Sequence, residues 1–376
     1  MKIGLVCPFS IARGGGVLEH VYAIQDELLN RGHDAYIVTP QPRDFTLDSR
    51  KNVIFIGAST DFRSPIGTTG QVSASADIEA IDEMLARERF DVLHFHSPEV
   101  PMIGRQILSR SSCVNVGTFH ATYPDSLTGR TFTKVIAPYI QSVIKYLDEI
   151  TAVSETAASS IRLLTDKPLA IIPNGIDLHI FKPAPKKPAK GKTVLYVGRL
   201  EARKGVKYLL KAFAVLAQKD PTVHLKLIGD GTDRAKLEAL AETLEIPHSR
   251  ITFAGYLSNE EKLQALQQAD VFCAPALYGE SFGIVLVEAM ACGTPLIAGN
   301  NPGYAGVMKG VGSLSLVNPK DTEDFVRRLQ AFLREEAVRK IWKTWAKKEI
   351  VQYGFDRVVD QYEALYKQAY KNKKRG

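Results

Sequence analysis

The sequence predicts an α/β protein made of two doubly wound parallel sheets in tandem, and three observations predict it. Short apolar runs alternate with helix-like segments through the first half; a stretch rich in proline and lysine then interrupts the pattern; after it the alternation restarts. Near-continuous apolar strands separated by helices mark a parallel sheet covered on both faces. A length of 376 residues is too great for one compact core and comfortable for two.

In the first half the strand-like runs are KIGLVCP, DAYIVTP, NVIFIG, FDVLHFHS, CVNVGTFHA, EITAVS and LAIIPNG. Between the first two, VLEHVYAIQDELLNRGH carries Val17, Val21, Ile24 and Leu28 at helical spacing, with Gly32 as its stop. FKPAPKKPAKGK, residues 181–192, holds three prolines, five lysines and a glycine, the composition of a linker. TVLYVGR, VHLKLIGDG, RITFAGYL, ADVFCAPA, TPLIAGN and SLSLVNP follow as the strands of a second sheet. The expected domains are therefore 1–180 and 193–351, each Rossmann-like, with a last helix over about 352–376 packing back on the first. Ligand-binding residues in such sheets gather at the carboxyl ends of the strands, so two domains facing a central cleft would place the site there.

Charge is unevenly shared. Residues 1–180 hold 16 basic and 20 acidic side chains, whereas 181–376 hold 32 and 21. A basic second half suits an anionic small ligand such as a nucleoside diphosphate, or simply a solvated surface with a basic tail, KNKKRG. Cys7, Cys113, Cys273 and Cys292 are scattered, with no C-x-x-C, so reduced thiols are expected. The opening MKIGLVCPFS has a five-residue apolar run, too short for a signal peptide, and nothing approaches a membrane span. A cytoplasmic protein is expected, with a peripheral contact at the inner face of the plasma membrane left open.

Several motifs fall at strand ends. Gly14, Gly15 and Gly16 lie between the first strand and first helix, where missing side chains let a ligand reach the backbone and helix-start amides favour negative charge. The alternative is a plain turn. GDGTDR, 229–234, only half-matches a dinucleotide fingerprint, and an oxidoreductase is disfavoured because neither half carries G-x-G-x-x-G. His94 and His96 point to one face of a strand, but no third ligand stands at a recognisable spacing, so a hydrogen-bonded strand end is preferred to a metal pair. His120 ends another strand. GRLEARKG brings Arg199, Arg203 and Lys204 together after a strand; they suit a diphosphate, or form an exposed basic loop.

YGESFGIVLVEAMACGTP, 278–295, is the most informative stretch. A helix is expected to open near Ser281 and stop before Gly293, apolar on all sides except for Glu288. A buried carboxylate costs several kcal/mol unless partnered. Either a lysine or arginine pairs with it, or it accepts hydrogen bonds from ligand hydroxyls such as a ribose. On the second reading Glu280 takes another polyol, and the amides around Ser281, Phe282, Gly283 and Ile284 hold a phosphate between them. Sugar, diphosphate and ribose in line make a nucleotide sugar.

The pair Glu280 and Glu288 within GESFGIVLVEAMACGTP, with GRLEARKG, TFHAT, FDVLHFHSP and GGGV, resembles the retaining glycosyltransferases of family 4, whose two-domain architecture is called GT-B. The resemblance spans nearly the whole chain and is greatest to the bacterial phosphatidylinositol α-mannosyltransferases, through GLVCPFS, GGGV and His20. It implies that Arg199 and Lys204 bind the donor diphosphate and stabilise the leaving group, Glu280 the transferred sugar and Glu288 the ribose. It also implies Gly15 and Gly16 beside the phosphates and sugar, and His120 near the anomeric centre. It implies front-face substitution of a hexose, mannose or glucose in type, with no covalent enzyme intermediate. No cofactor is expected, and no obligatory metal, since no two aspartates stand two apart.

The acceptor side departs from those mannosyltransferases. Phe9 stands where they have tyrosine, Leu18 where they have glutamine, Glu99 where they have asparagine and Asp125 where they have lysine; only Arg63 remains of an arginine-rich stretch. His20 and His96 complete the acceptor-side candidates. These changes make phosphatidylinositol a poor acceptor and favour a neutral lipid or a soluble saccharide. A stripe of Phe132, Val135, Ile136, Tyr139, Ile140, Val143, Ile144 and Leu147 is expected to pack on its own sheet rather than on lipid. A nucleotide-sugar epimerase, a phosphorylase-like enzyme and a non-catalytic nucleotide-sugar sensor are the competing readings; nucleic acid is not an expected partner.

Overall fold

The computed structural model describes residues 1–11, 15–42, 50–63, 69–73, 76–101, 103–122, 127–188 and 191–375, excepting the side chains of 60–63, 69–73 and 127–134. The chain forms two compact units: Met1–Gly175 with Phe355–Gly376, and Ile176–Gly354.

The first unit is an eight-stranded sheet: β1 (Lys2–Val6), β2 (Asp34–Gln41), β3 (Val53–Arg63), β4 (Thr69–Ser73), β5 (Val92–His96), β6 (Val114–Phe119), β7 (Glu149–Ala152) and β8 (Leu169–Ile171). Their order is β4-β3-β2-β1-β5-β6-β7-β8, parallel except for the β3–β4 hairpin. That antiparallel strand escapes the sequence reading because TGQVS lacks the apolar run of a strand buried on both faces. The chain runs outward from β1 to β4, then returns to β5 on the other side of β1. The carboxyl ends of β1 and β5 are therefore the switch point, where ligands sit in such sheets.

The helix Gly16–Asn30 buries Leu18, Val21, Ile24 and Leu28 against this sheet. The last helix, Phe355–Lys373, shares the same core through Val358, Val359, Tyr362 and Tyr366. Burying each such tyrosine stabilises by about 2–3 kcal/mol, so the chain's end is part of the first unit's core. Polar pairs fix its position: Tyr366 Oη lies 2.6 Å from His94 Nδ1, and His94 Nε2 lies 2.6 Å from Thr118 Oγ1. His94 is a hydrogen-bonded strand residue. Arg31 adds bonds to Asp360 and Glu363 on that helix.

The second unit has β9 (Lys192–Val197), β10 (Val223–Ile228), β11 (Ile251–Gly255), β12 (Val271–Ala274), β13 (Leu296–Gly299) and β14 (Leu316–Val317). The order is β11-β10-β9-β12-β13-β14, all parallel. Its switch point lies at the ends of β9 and β12, the positions of Arg199 and Glu280. The proline-lysine stretch is not a free linker. Lys186 Nζ bonds the Ala269 carbonyl and Asp270, while Lys187 N bonds Gln268, so it lies along the second unit.

The expected stripe on the helix Leu127–Ile144 divides. Ile140, Val143, Ile144 and Leu147 are buried in the first unit, whereas Val135 is 76% exposed; Phe132 lies outside the described side chains. Among the described residues no helix is long and apolar enough to cross a membrane.

Candidate active site

The second unit gathers charge at its switch point. β9 ends in Gly198 and Arg199, and a short 3-10 turn, Ala202–Lys204, is closed by left-handed Gly205. A Cβ on Gly205 would lie 2.0 Å from the Pro275 carbonyl oxygen, so glycine is required both by φ and by the approach of the loop after β12. That approach sets Lys204 Nζ 2.7 Å from Glu280 Oε1. Arg203 reaches the same oxygen at 2.8 Å and, through Nε, Glu201 at 3.1 Å; Arg199 meets Glu201 at 2.8 Å. The sequence Arg199–Glu201–Arg203–Glu280–Lys204 is one ion-pair chain of three cations and two acids. Buried Tyr304 also hydrogen-bonds Glu280, and burial together with that carboxylate holds its hydroxyl far above the usual phenol range.

Helix Ile284–Ala291 starts three residues later than the sequence suggests. Gly283, at φ 102°, breaks the turn before it, and a Cβ there would lie 2.6 Å from the Tyr304 ring. The helix-start amides thus begin at Ile284, and those of Ser281 and Phe282 are not among them. The Phe282 ring packs edge-on to Tyr353, 5.7 Å between centroids.

Glu288 is buried on this helix, as its surroundings require, and its Oε1 accepts from Lys262 Nζ at 2.9 Å. Of the two readings open in the sequence, the internal cation is the one the structure displays; an acid waiting without a cation is not. Lys262 lies 26 residues upstream on the helix Asn259–Gln268, a separation with no sequence signature.

In the first unit the candidates at the switch point are histidines. His96 ends β5, His120 follows β6, and His20 lies on the first turns of Gly16–Asn30; all three are buried. His96 Nδ1 is 3.1 Å from His120 Nε2. His120 also hydrogen-bonds the Asn174 side chain, which favours its charged form, but burial prevails and takes its pKa down to about 4. Burial and neighbouring imidazoles hold His20 and His96 well below the ordinary histidine range. The cluster is neutral near pH 7.

Gly15, at φ 138°, and Gly16 open that helix, and among the described residues nothing lies within 4 Å of where a Cβ would be. Gly14 and Asp125 lie outside the described residues, and so does the Arg63 side chain. Leu18 is a correction: it is 1% exposed and belongs to the core cluster, facing the sheet rather than an opening. Phe9 is partly buried against the same core. Glu99 is buried; burial raises its pKa to about 7, and its Oε2 has no partner among the described residues. Glu201, Lys262, Tyr304 and Asn174 are the site residues the sequence reading left unassigned; only Glu201 had a signal, the alternating charges of GRLEARKG.

Residues 14–180 match the model described as Glycosyltransferase Family 4, and residues 179–349 that of Glycosyl transferases group 1. The chain is 32% identical over 374 residues to the phosphatidyl-myo-inositol mannosyltransferase of Mycolicibacterium smegmatis, covering 97% of this chain and 93% of that one. It is 32% identical over 378 residues to the protein of the same name from Mycobacterium tuberculosis, covering 97% and 96%. Among solved structures, a sucrose-phosphate synthase from Thermosynechococcus elongatus superposes with TM-score 0.80 at 20% identity, covering 99% of this chain and all of that one. Anabaena HepE in complex with UDP and glucose superposes at 0.74 and 18%, covering 98% and 100%. At such identities the superpositions show the fold alone.

Two parallel-sheet units and these matches define an enzyme of the GT-B class of glycosyltransferases. The chain belongs to glycosyltransferase family 4.

Proposed function

We propose that this enzyme transfers a hexose, of mannose or glucose type, from a nucleoside-diphosphate sugar to a lipid or saccharide acceptor, with retention of configuration. The observation that carries the reading is the convergence of Arg199, Arg203 and Lys204 on the Glu280 loop at the second unit's switch point. Cations held at that edge are suited to a diphosphate whose charge grows as the glycosidic bond breaks, where electrostatic stabilisation is worth most. Glu280 would exchange a cation for sugar hydroxyls. Glu288, paired with Lys262, would accept from a ribose in exchange for present partners. His120 would contact the sugar. Attack from the same face as departure needs no enzyme nucleophile, and we assign the cationic loop the work that a metal does in other transferases.

The Mycolicibacterium relative is named for mannose transfer to phosphatidyl-myo-inositol. Here Glu99, three residues beyond β5, stands where the resembled mannosyltransferases have asparagine, and this change supports an acceptor other than phosphatidylinositol. A panel of nucleoside-diphosphate sugars, scored by thermal shift and then by transfer of labelled hexose, tests the proposal. One donor should stabilise the chain and yield nucleoside diphosphate with an α-configured product, assigned by its anomeric NMR coupling. An isomerised donor, or an inverted product, would refute it.

A further inference from the structure

His20 has both ring nitrogens buried without a partner among the described residues. Unpaired buried polar atoms are rare, and each one costs on the order of 1–3 kcal/mol unless something occupies the site. One ring nitrogen from each of His20, His96 and His120 lies within 4.8 Å of the other two.

The geometry of the three rings is specific. Their centroids form a nearly equilateral triangle, 5.7 Å for His20–His96, 5.4 Å for His20–His120 and 5.3 Å for His96–His120. Imidazoles bonded to a tetrahedral Zn²⁺ at about 2.05 Å would have their centroids about 5.2 Å apart and their ligand nitrogens about 3.3 Å apart. His96 Nδ1 and His120 Nε2 are already 3.1 Å apart. His120 also has an outer partner in Asn174, the arrangement that orients a metal-ligating imidazole. Neutral nitrogen donors without an oxygen ligand select Zn²⁺ and its neighbours over Mg²⁺ or Ca²⁺.

We propose that His20, His96 and His120 bind one Zn²⁺ through three imidazole nitrogens, leaving a fourth position open, and that the bound ion inhibits transfer. Binding rests on the first unit alone; inhibition rests on the reading above that His120 meets the donor sugar. The ion is an occluding ligand there, not a requirement of the reaction.

The full chain, freed of metal with a chelator, is dialysed against Zn²⁺ and its metal content measured, with Mg²⁺ as the comparison. Co²⁺ is substituted to look for the visible bands of a tetrahedral site. One Zn²⁺ per chain and intense Co²⁺ bands are expected. His20→Ala and His96→Ala should weaken binding by more than the ~10–100-fold expected for Asn174→Ala, which removes only an outer partner. His179→Ala and His248→Ala should retain it. If an alanine variant does not fold, His20→Asn replaces it, with the zinc-induced melting shift as readout. No retained zinc, or a stoichiometry that survives loss of His20, overturns the site. Bound zinc with an unchanged transfer rate overturns the inhibition and the placement of His120 at the sugar, while the site itself stands.

Discussion

Lys204→Ala removes the ammonium nearest Glu280, whose Oε1 it meets at 2.7 Å. The proposed work of this charge is to stabilise the diphosphate as it leaves. A full unit charge about 3 Å away, at an effective dielectric of about 20, is worth 5–6 kcal/mol. Roughly half a unit of new charge develops in the transition state, so the differential share is about 3 kcal/mol, in line with loss of a single stabilising donor. That corresponds to a fall of about a hundredfold in kcat/KM. Stability should change little, because Arg203 still holds Glu280 at 2.8 Å. The assay is release of nucleoside diphosphate at saturating acceptor, with a melting curve on the same preparation. A folded variant within tenfold of the parent would refute the assignment.

Gly205→Ala meets the Pro275 carbonyl at 2.0 Å with φ at 70°, so it should cost about 1–3 kcal/mol and lower the melting temperature of the second unit by several degrees; an unchanged melt would show that the loop relaxes freely. Glu288→Gln should weaken nucleotide binding in calorimetry and leave Lys262 without its anion, whereas unaltered affinity would make the pair purely internal. Glu363 is held down to about 2 by Lys367, His33 and Arg31, against an ordinary value of 4.5. Its stabilisation is present above pH 4.5 and lost as pH falls through 2. The full shift would be about 3 kcal/mol, but this carboxylate is partly exposed, and screening reduces it to about 1–2 kcal/mol. Glu363→Gln should therefore differ from the parent by that amount in urea melts at pH 7 and converge with it near pH 2.

Much of this was legible in the residues because burial on both faces of a parallel sheet writes itself as continuous apolar runs: VFCA and LIAG became β12 and β13. The hairpin strand TGQVS had no such run and was illegible. The edge positions of Arg199, Glu280, His96 and His120 followed from their places after strands. What did not follow was partnership. Lys262 meets Glu288 because two helices pack side by side, and Asn174 meets His120 across 54 positions of chain; neither contact has a period or a motif. Leu18 entered the acceptor side only because it stands where the resembled mannosyltransferases have glutamine, whereas its place on the helix Gly16–Asn30 turns it into the core.

The acids in the cationic loop bear on how a diphosphate site exists before its ligand arrives. Arg203 and Lys204 meet the same Glu280 oxygen and so lie close enough to repel one another; at about 5 Å and a dielectric of about 20 that pair would cost some 3 kcal/mol. Glu201 and Glu280 offset that repulsion and hold the three cations in one geometry. On the proposed reading, donor binding would be an exchange of anions around fixed cations rather than an ordering of free side chains, with little conformational entropy lost at that step. Glu280 consequently serves twice, as counter-ion to Lys204 and Arg203 and as the proposed acceptor for sugar hydroxyls. Replacing it would disturb scaffold and substrate together, which is why the clean test of the leaving-group role falls on Lys204.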